Sequence, residues 1–183
     1  MAPCYAPRAT LATMTTTDLP TDLDRLADAR LDYEALAARV IAGEPWPLAA
    51  AFGTEPEASW GPREVLAHVA EMLPFWLGEL ERVVDGEGGA PVPFGRIADD
   101  ASRIGLIARD RSLPLRVLFA RIDAGLAGWL ERLPTLTETD AARIGEHPRL
   151  GKMPVGGIAD RFVIGHGEEH VVQLEGILAA AGR

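Results

Sequence analysis

The chain has 183 residues, of which 48% are hydrophobic, 25% charged and 6% aromatic, and its formal net charge is −9. That length suits one domain with a core large enough to need no disulfide staple, and a single cysteine, Cys4, excludes both a disulfide framework and a thiolate metal cluster in the body of the protein. The acidic balance argues against nucleic acid and against an anionic membrane as partners, and no apolar run approaches the roughly 18 residues of a membrane span.

Residues 1–20 read as a disordered leader and residues 21–183 as one helical domain. The leader lacks an acidic group over its first 17 residues and has no long apolar stretch, so a secretory signal is not expected. A transit peptide is the competing reading, Met14 is an alternative start, and the expected location is the cytoplasm. From Asp22 to about Ala42, Leu23, Leu26, Leu31, Leu36 and Val40 recur at mostly helical intervals, and Gly43 with "EPWP" stops the helix. A short helical turn is expected around Leu48 to Phe52.

A second long helix starts at Pro62, whose missing N–H costs nothing at the first helical position. Glu64 suits the first turn through the helix dipole. Gly61 is its cap, Pro74 is expected to kink it or break its ladder locally, and "DGEGG" ends it. A third helical region, about Asp99 to Leu133, is divided by Pro114. Residues 134–157 read as a connection with one short helical turn, and the last helix runs from about Ile158 to Ala180. No strand alternation is apparent, so the expected fold is all-α, a four-helix bundle.

Two histidines, His166 and His170, stand one turn apart on the apolar face of the last helix, near Ile177, Gln173, Phe162 and Leu174. Spacing i, i+4 can deliver two imidazoles to one metal ion. The pattern is not the H-E-x-x-H of zinc proteases, because Gly167 follows the first histidine and Glu168 and Glu169 cannot replace the missing base. The candidate third ligand is His68, at the edge of the stripe formed by Val65, Val69, Met72, Trp76, Leu80 and Val83. That position suits a residue at a helix seam and equally a polar residue reaching for solvent. His147, in "GEHPRLG", reads as a solvated or turn-stabilising residue, with a role beside the site as the alternative. No phosphate loop, nucleophile elbow or paired cysteines occur, and Ser59, Ser102 and Ser112 have no evident base partner.

The segments "WGPREVLAHVAEMLPFW", "FGRIADDASRIGLIARDRSLPL", "EHPRLGKMPV" and "HGEEHVVQLEGIL" together resemble the DinB/YfiT-like family, over most of the chain from about residue 25. The resemblance implies an up-down-down-up four-helix bundle holding a divalent metal, zinc or nickel, on three histidines. Carried over by motif, these are His68, His166 and His170. Gly61 departs from the family's usual capping Ser or Thr. Gly165 and Gly167 flank His166, each costing about 1 kcal/mol against Ala in a helix interior, and imply close helix approach or a local irregularity. Some family members lack metal.

Three imidazoles leave a fourth position open, as in catalytic zinc sites. Some members transfer or isomerise with a low-molecular-weight thiol such as bacillithiol or mycothiol. The resemblance therefore implies a metal-dependent enzyme, thiol-S-transferase-like or hydrolase-like, acting on a small molecule. Glu169 and Gln173 are the expected partners of the ligands' other nitrogens, and Arg103, Asp110 and Arg111 are candidates to face substrate. The alternative is a non-catalytic bundle, stress-related or structural, whose histidines are core residues. Association of two chains through a helical face is compatible with either.

Overall fold

The computed structural model describes residues 19–49 and 57–182. Most of the expected leader, with Cys4 and Met14, falls outside the described residues, although helix is already present at its last two positions. Four long helices dominate: α1 (Leu19–Ala42), α2 (Pro62–Val84), α4 (Leu115–Arg132) and α7 (Gly165–Ala180). Shorter ones, α3 (Ala101–Asp110), α5 (Glu138–Ala141) and α6 (Val155–Ala159), lie in the connections. Leu48 and Ala49 are not helical, so the expected turn there does not begin where the pattern placed it, and residues 50–52 are outside the described set.

The helices form because their buried positions alternate at intervals of three and four. On α1 these are Asp22, Leu26, Ala29, Tyr33, Leu36 and Val40. Leu31, expected on this face, lies 62% exposed because it falls off that sequence of intervals, and Tyr33 takes the inward place. Tyr33 donates its hydroxyl to Gly167 O at 3.0 Å, tying α1 to α7, and burial raises its pKa. The α2 helix starts at Pro62 behind Gly61 as expected, and it runs through Pro74 without interruption. Trp129 of α4 is fully buried and donates its indole N–H to Leu73 O at 3.0 Å.

Contacts between α1 and α7 advance together along both helices, Arg25 with Glu168 and Arg39 with Glu175. Those between α2 and α4 do the same, Leu73 with Trp129 and Glu81 with Arg132. No helix among the described residues is long and apolar enough to cross a membrane.

The absence of strands is the expectation that fails. A three-stranded sheet joins β1 (Val92–Pro93), β2 (Ile144–His147) and β3 (Gly151–Pro154) in that order, β1 parallel to β2 and β2 antiparallel to β3. Its central strand turns Gly145 and His147 inward and leaves Ile144 exposed, the reverse of the alternation that marks a strand in sequence. A Cβ on Gly145 would lie 2.5 Å from Phe94 Cδ1, so glycine is what lets the Phe94 ring close over the strand.

The last helix is also irregular. After α6, residues Asp160–Ile164 form a π-helical turn, and Gly165 N–H bonds back to Asp160 O, five residues earlier. The chain thus takes one extra residue immediately before the histidine pair. A Cβ on Gly165 would stand 3.2 Å from that same carbonyl, so glycine suits the wide turn.

Two glycines of α4 face α2 with different clearances. A Cβ on Gly125 would lie 2.8 Å from Leu73 Cβ, an atom that cannot move without its backbone, whereas one on Gly128 would meet Leu77 Cδ2 at an ordinary 3.6 Å. Overpacking costs about 1–3 kcal/mol, while glycine-to-alanine in a helix gains up to about 1 kcal/mol. Gly125→Ala is therefore expected to lower stability in urea unfolding followed by circular dichroism, and Gly128→Ala to raise it. Equal signs for the two would contradict this account of the α2–α4 contact.

Candidate metal centre

The α2 helix carries His68 inward at 3% exposure, and α7 carries His166 and His170 on adjacent turns facing it. Their Nε2 atoms converge: His68 to His166 at 3.0 Å and His166 to His170 at 3.2 Å. Zinc–nitrogen bonds of about 2.0–2.1 Å in tetrahedral geometry set ligand nitrogens about 3.3 Å apart. The spacing is thus close to that of a shared ion. Glu57 joins the group, with ligand atoms of all four residues within 4.8 Å of one another and its Oε2 3.6 Å from His166 Nε2.

The hydrogen bonds settle where two of the imidazole protons lie. Gln173 donates its side-chain N–H to Glu57 O at 2.7 Å, which turns its Oε1 toward His170 Nδ1 at 2.8 Å. An amide oxygen only accepts, so His170 carries its proton on Nδ1 and a bare lone pair on Nε2. His166 faces the Glu169 carboxylate through Nδ1 at 3.3 Å, which places its proton there too. Two bare lone pairs therefore meet at 3.2 Å. Burial first, and then the neighbouring His166, lowers the His170 pKa to about 4, so His170 itself brings no second proton to this contact near pH 7. A cation at the convergence point is one remedy.

His68 differs. Its pKa is held well below the ordinary value by burial, then by His170 and the Arg103 guanidinium, so it too is neutral near pH 7. Its Nδ1 has no acceptor; its neighbour is the donor Arg103 Nη2 at 3.4 Å, the long limit of a hydrogen bond. The stronger bonds of Arg103 go to Glu57 and to Ala98 O at 2.9 Å. Trp60 meets the His68 ring edge-on, with centroids 5.7 Å apart.

A cavity of about 580 Å³ opens beside the cluster, lined among others by Glu57, His68, Arg103, His147, His166 and Glu169. Of the three candidates to face substrate, Arg103 alone lines it. Asp110 is buried between Arg109 and Arg121, whose bonds hold its carboxyl below the usual range, and Arg111 binds Ala49 O and the buried Glu64. Both are structural ion pairs away from the cavity. His147 is neither solvated nor free. It is buried, its Nδ1 accepts the N–H groups of Arg149 and Leu150 at 3.2 and 3.3 Å, and its Nε2–H donates to Arg96 O at 3.1 Å.

Glu57 was not legible from sequence. It lies in a 3₁₀ turn, Glu57–Ser59, where an isolated acid carries no periodic signal. Only the folding of that turn against Gln173 brings it to the histidines.

The lowered pKa values make stability depend on pH in the metal-free protein. An unfolded histidine titrates near 6.5, and folded His170 near 4. Between these values the unfolded chain binds more protons, so stability is greatest above about pH 6.5 and falls on acidification toward pH 4. Urea midpoints measured from pH 7.5 to 4.5 are expected to decline, and His170→Gln to flatten the decline between pH 6.5 and 5. A variant as pH-sensitive as the parent would contradict the assignment.

A model of the DinB superfamily matches residues 11–174. Among solved structures the chain is similar to YfiT from Bacillus subtilis, described as "a probable metal-dependent hydrolase with an unusual four-helix bundle topology". Identity is 13% and the TM-score 0.66, over 97% of this chain and 94% of that one, a likeness of fold. No curated protein matches the sequence. The family match begins ahead of α1 and ends within α7, enclosing every element that builds the histidine cluster, and the chain belongs to the DinB superfamily.

Proposed function

We propose that this protein is a divalent-metal-dependent enzyme of the hydrolase or thiol-S-transferase type, with His68, His166 and His170 as the metal ligands. The reading rests chiefly on the meeting of unprotonated Nε2 atoms at 3.2 Å, which a cation satisfies and a neutral core does not. The contacts that advance together along α1 with α7 and along α2 with α4 support an up-down-down-up helix order. The description of YfiT as "a probable metal-dependent hydrolase" is in keeping with it.

Zinc or nickel held by three neutral imidazoles would supply Lewis acidity and make a nucleophile, water or a low-molecular-weight thiol, available near neutral pH. The protein's own groups do the rest. Burial keeps His68 and His170 as neutral imidazoles, so neither begins as an imidazolium, although His68 would have to carry its one proton on Nδ1 to offer Nε2. Gln173 and Glu169 fix the orientation of His170 and His166. Glu57, with Oε2 3.6 Å from His166 Nε2 and its side chain 30% exposed to the cavity, is placed to take the proton of the attacking water or thiol. Arg103 holds that carboxylate in place.

Elemental analysis of the purified protein is the decisive measurement. Near-stoichiometric zinc or nickel is expected, lost in His166→Ala and in His68→Ala with helical content largely unchanged. A parent protein that takes up neither ion on incubation would leave the histidines as core residues of a non-catalytic bundle. Gln173→Leu keeps all three ligands but removes the acceptor of His170 Nδ1. Competition titration with a chromogenic chelator is expected to show affinity reduced about 10–100-fold; unchanged affinity would contradict the role of that amide.

A further inference from the structure

The cavity beside the histidines has a charge opposite in sign to that of the chain. Net charge is −9 overall, yet the charged side chains lining the cavity are Arg96, Arg103, Arg149 and Arg161 against Glu57 and Glu169. Two of the arginines are engaged, Arg96 with Glu71 and Arg103 with Glu57. Arg149 and Arg161 are exposed, and neither has an ion-pair partner among the described residues. Two guanidinium groups without such a partner at one cavity give it a local positive charge that the acidic chain as a whole does not have.

Both are held on built elements. Arg149 follows the β2 strand, and its backbone N–H is bound by the buried His147, whose other nitrogen holds Arg96 O. Arg161 lies in the π-helical turn ahead of the histidine pair. It is close enough to His147 for its charge to add to the burial that lowers that pKa. The adjoining wall is apolar, with Trp76 and Phe162 stacked at 4.1 Å. Planar guanidinium donors in this setting match a carboxylate, and the ring wall matches an apolar body.

We propose that the cavity binds a small organic carboxylate, its anionic head held by Arg149 and Arg161 and its apolar part against Trp76 and Phe162. The histidines then face the end of the molecule away from the head. This orientation rests on the metal-site reading, whereas the anion contact itself requires no metal.

The test uses the full chain, metal-free and zinc-incubated, titrated calorimetrically with benzoate and with its neutral isostere benzamide in physiological salt. Metal-free protein is expected to bind benzoate about tenfold more tightly than benzamide. The double variant Arg149→Ala/Arg161→Ala, whose side chains are exposed and whose melting curve should match the parent, is expected to lose that preference. Lysine at both positions should restore part of it, since the charge returns without the planar fork. Equal binding of the two probes, binding of neither, or an undiminished preference in the double alanine variant would overturn the proposal. Benzoate binding that appears only with zinc and ignores both arginines would also overturn it, while leaving the metal site standing. Protein that takes up no zinc but keeps the arginine-dependent preference would refute the metal reading alone.

Discussion

Two helices must hold three imidazoles with their Nε2 atoms 3.0–3.2 Å apart although the protons available do not suffice to bridge them. Such an arrangement is costly in a metal-free core, since buried lone pairs without a donor lose the hydration they had in the unfolded chain. It persists because each ring is fixed from behind. Gln173, clamped by the Glu57 carbonyl, fixes His170; Glu169 fixes His166; Trp60 and the surrounding α2 core confine His68. The local conflict is therefore maintained by the global fold, which is how sites that await a ligand differ from ordinary packed interiors.

The rest of the architecture can be read as support for that pair of helices. Tyr33 ties α1 to the α7 backbone at Gly167, between the two histidines, and Arg25 adds a bidentate contact to Glu168 one residue on. The π-helical turn sets the rotation at which α7 presents its histidine face, because one extra residue in a turn shifts every later side chain around the axis. The small sheet closes the other side of the cavity. Its buried His147 joins the β2–β3 turn to the Arg96 carbonyl, so the loop after α2 and the connection before α6 are held together by one neutral ring.

Much of this was legible in the residues and some was not, for physical reasons that differ by element. The long helices follow from intervals of three and four, and the breaks at Gly43, Pro62 and Pro114 from backbone chemistry, so their limits agree to within a few residues. Leu31 misled because hydrophobicity alone does not assign a face; the strict intervals select Tyr33 instead. The central strand was invisible because its inward positions hold glycine and histidine, small and polar types that carry no strand signal, and the other two are short, with a single buried residue between them, Met153. The meeting of His68 with the pair on α7 was expected from resemblance, and the structure brings them together. Glu57 was not expected, since no local pattern marks a loop acid that only tertiary contact carries to the site.

Charge accounts for why the centre is a balance and not merely a cluster. Burial lowers the pKa of His68 and His170 and so keeps them neutral, the form in which an imidazole could hold an ion. The same low-dielectric setting magnifies the positive charge of Arg103 beside His68, which opposes a cation. Glu57 answers that charge, being bonded to Arg103 and also within reach of His166. One carboxylate thus faces a guanidinium and the histidine centre at once. A divalent ion at the imidazoles would draw Glu57 toward itself and loosen Arg103, whereas an anion near Arg103 would release Glu57 toward the histidines. Glu57 is thus a side chain through which an ion on the histidines and an anion in the cavity would act on one another.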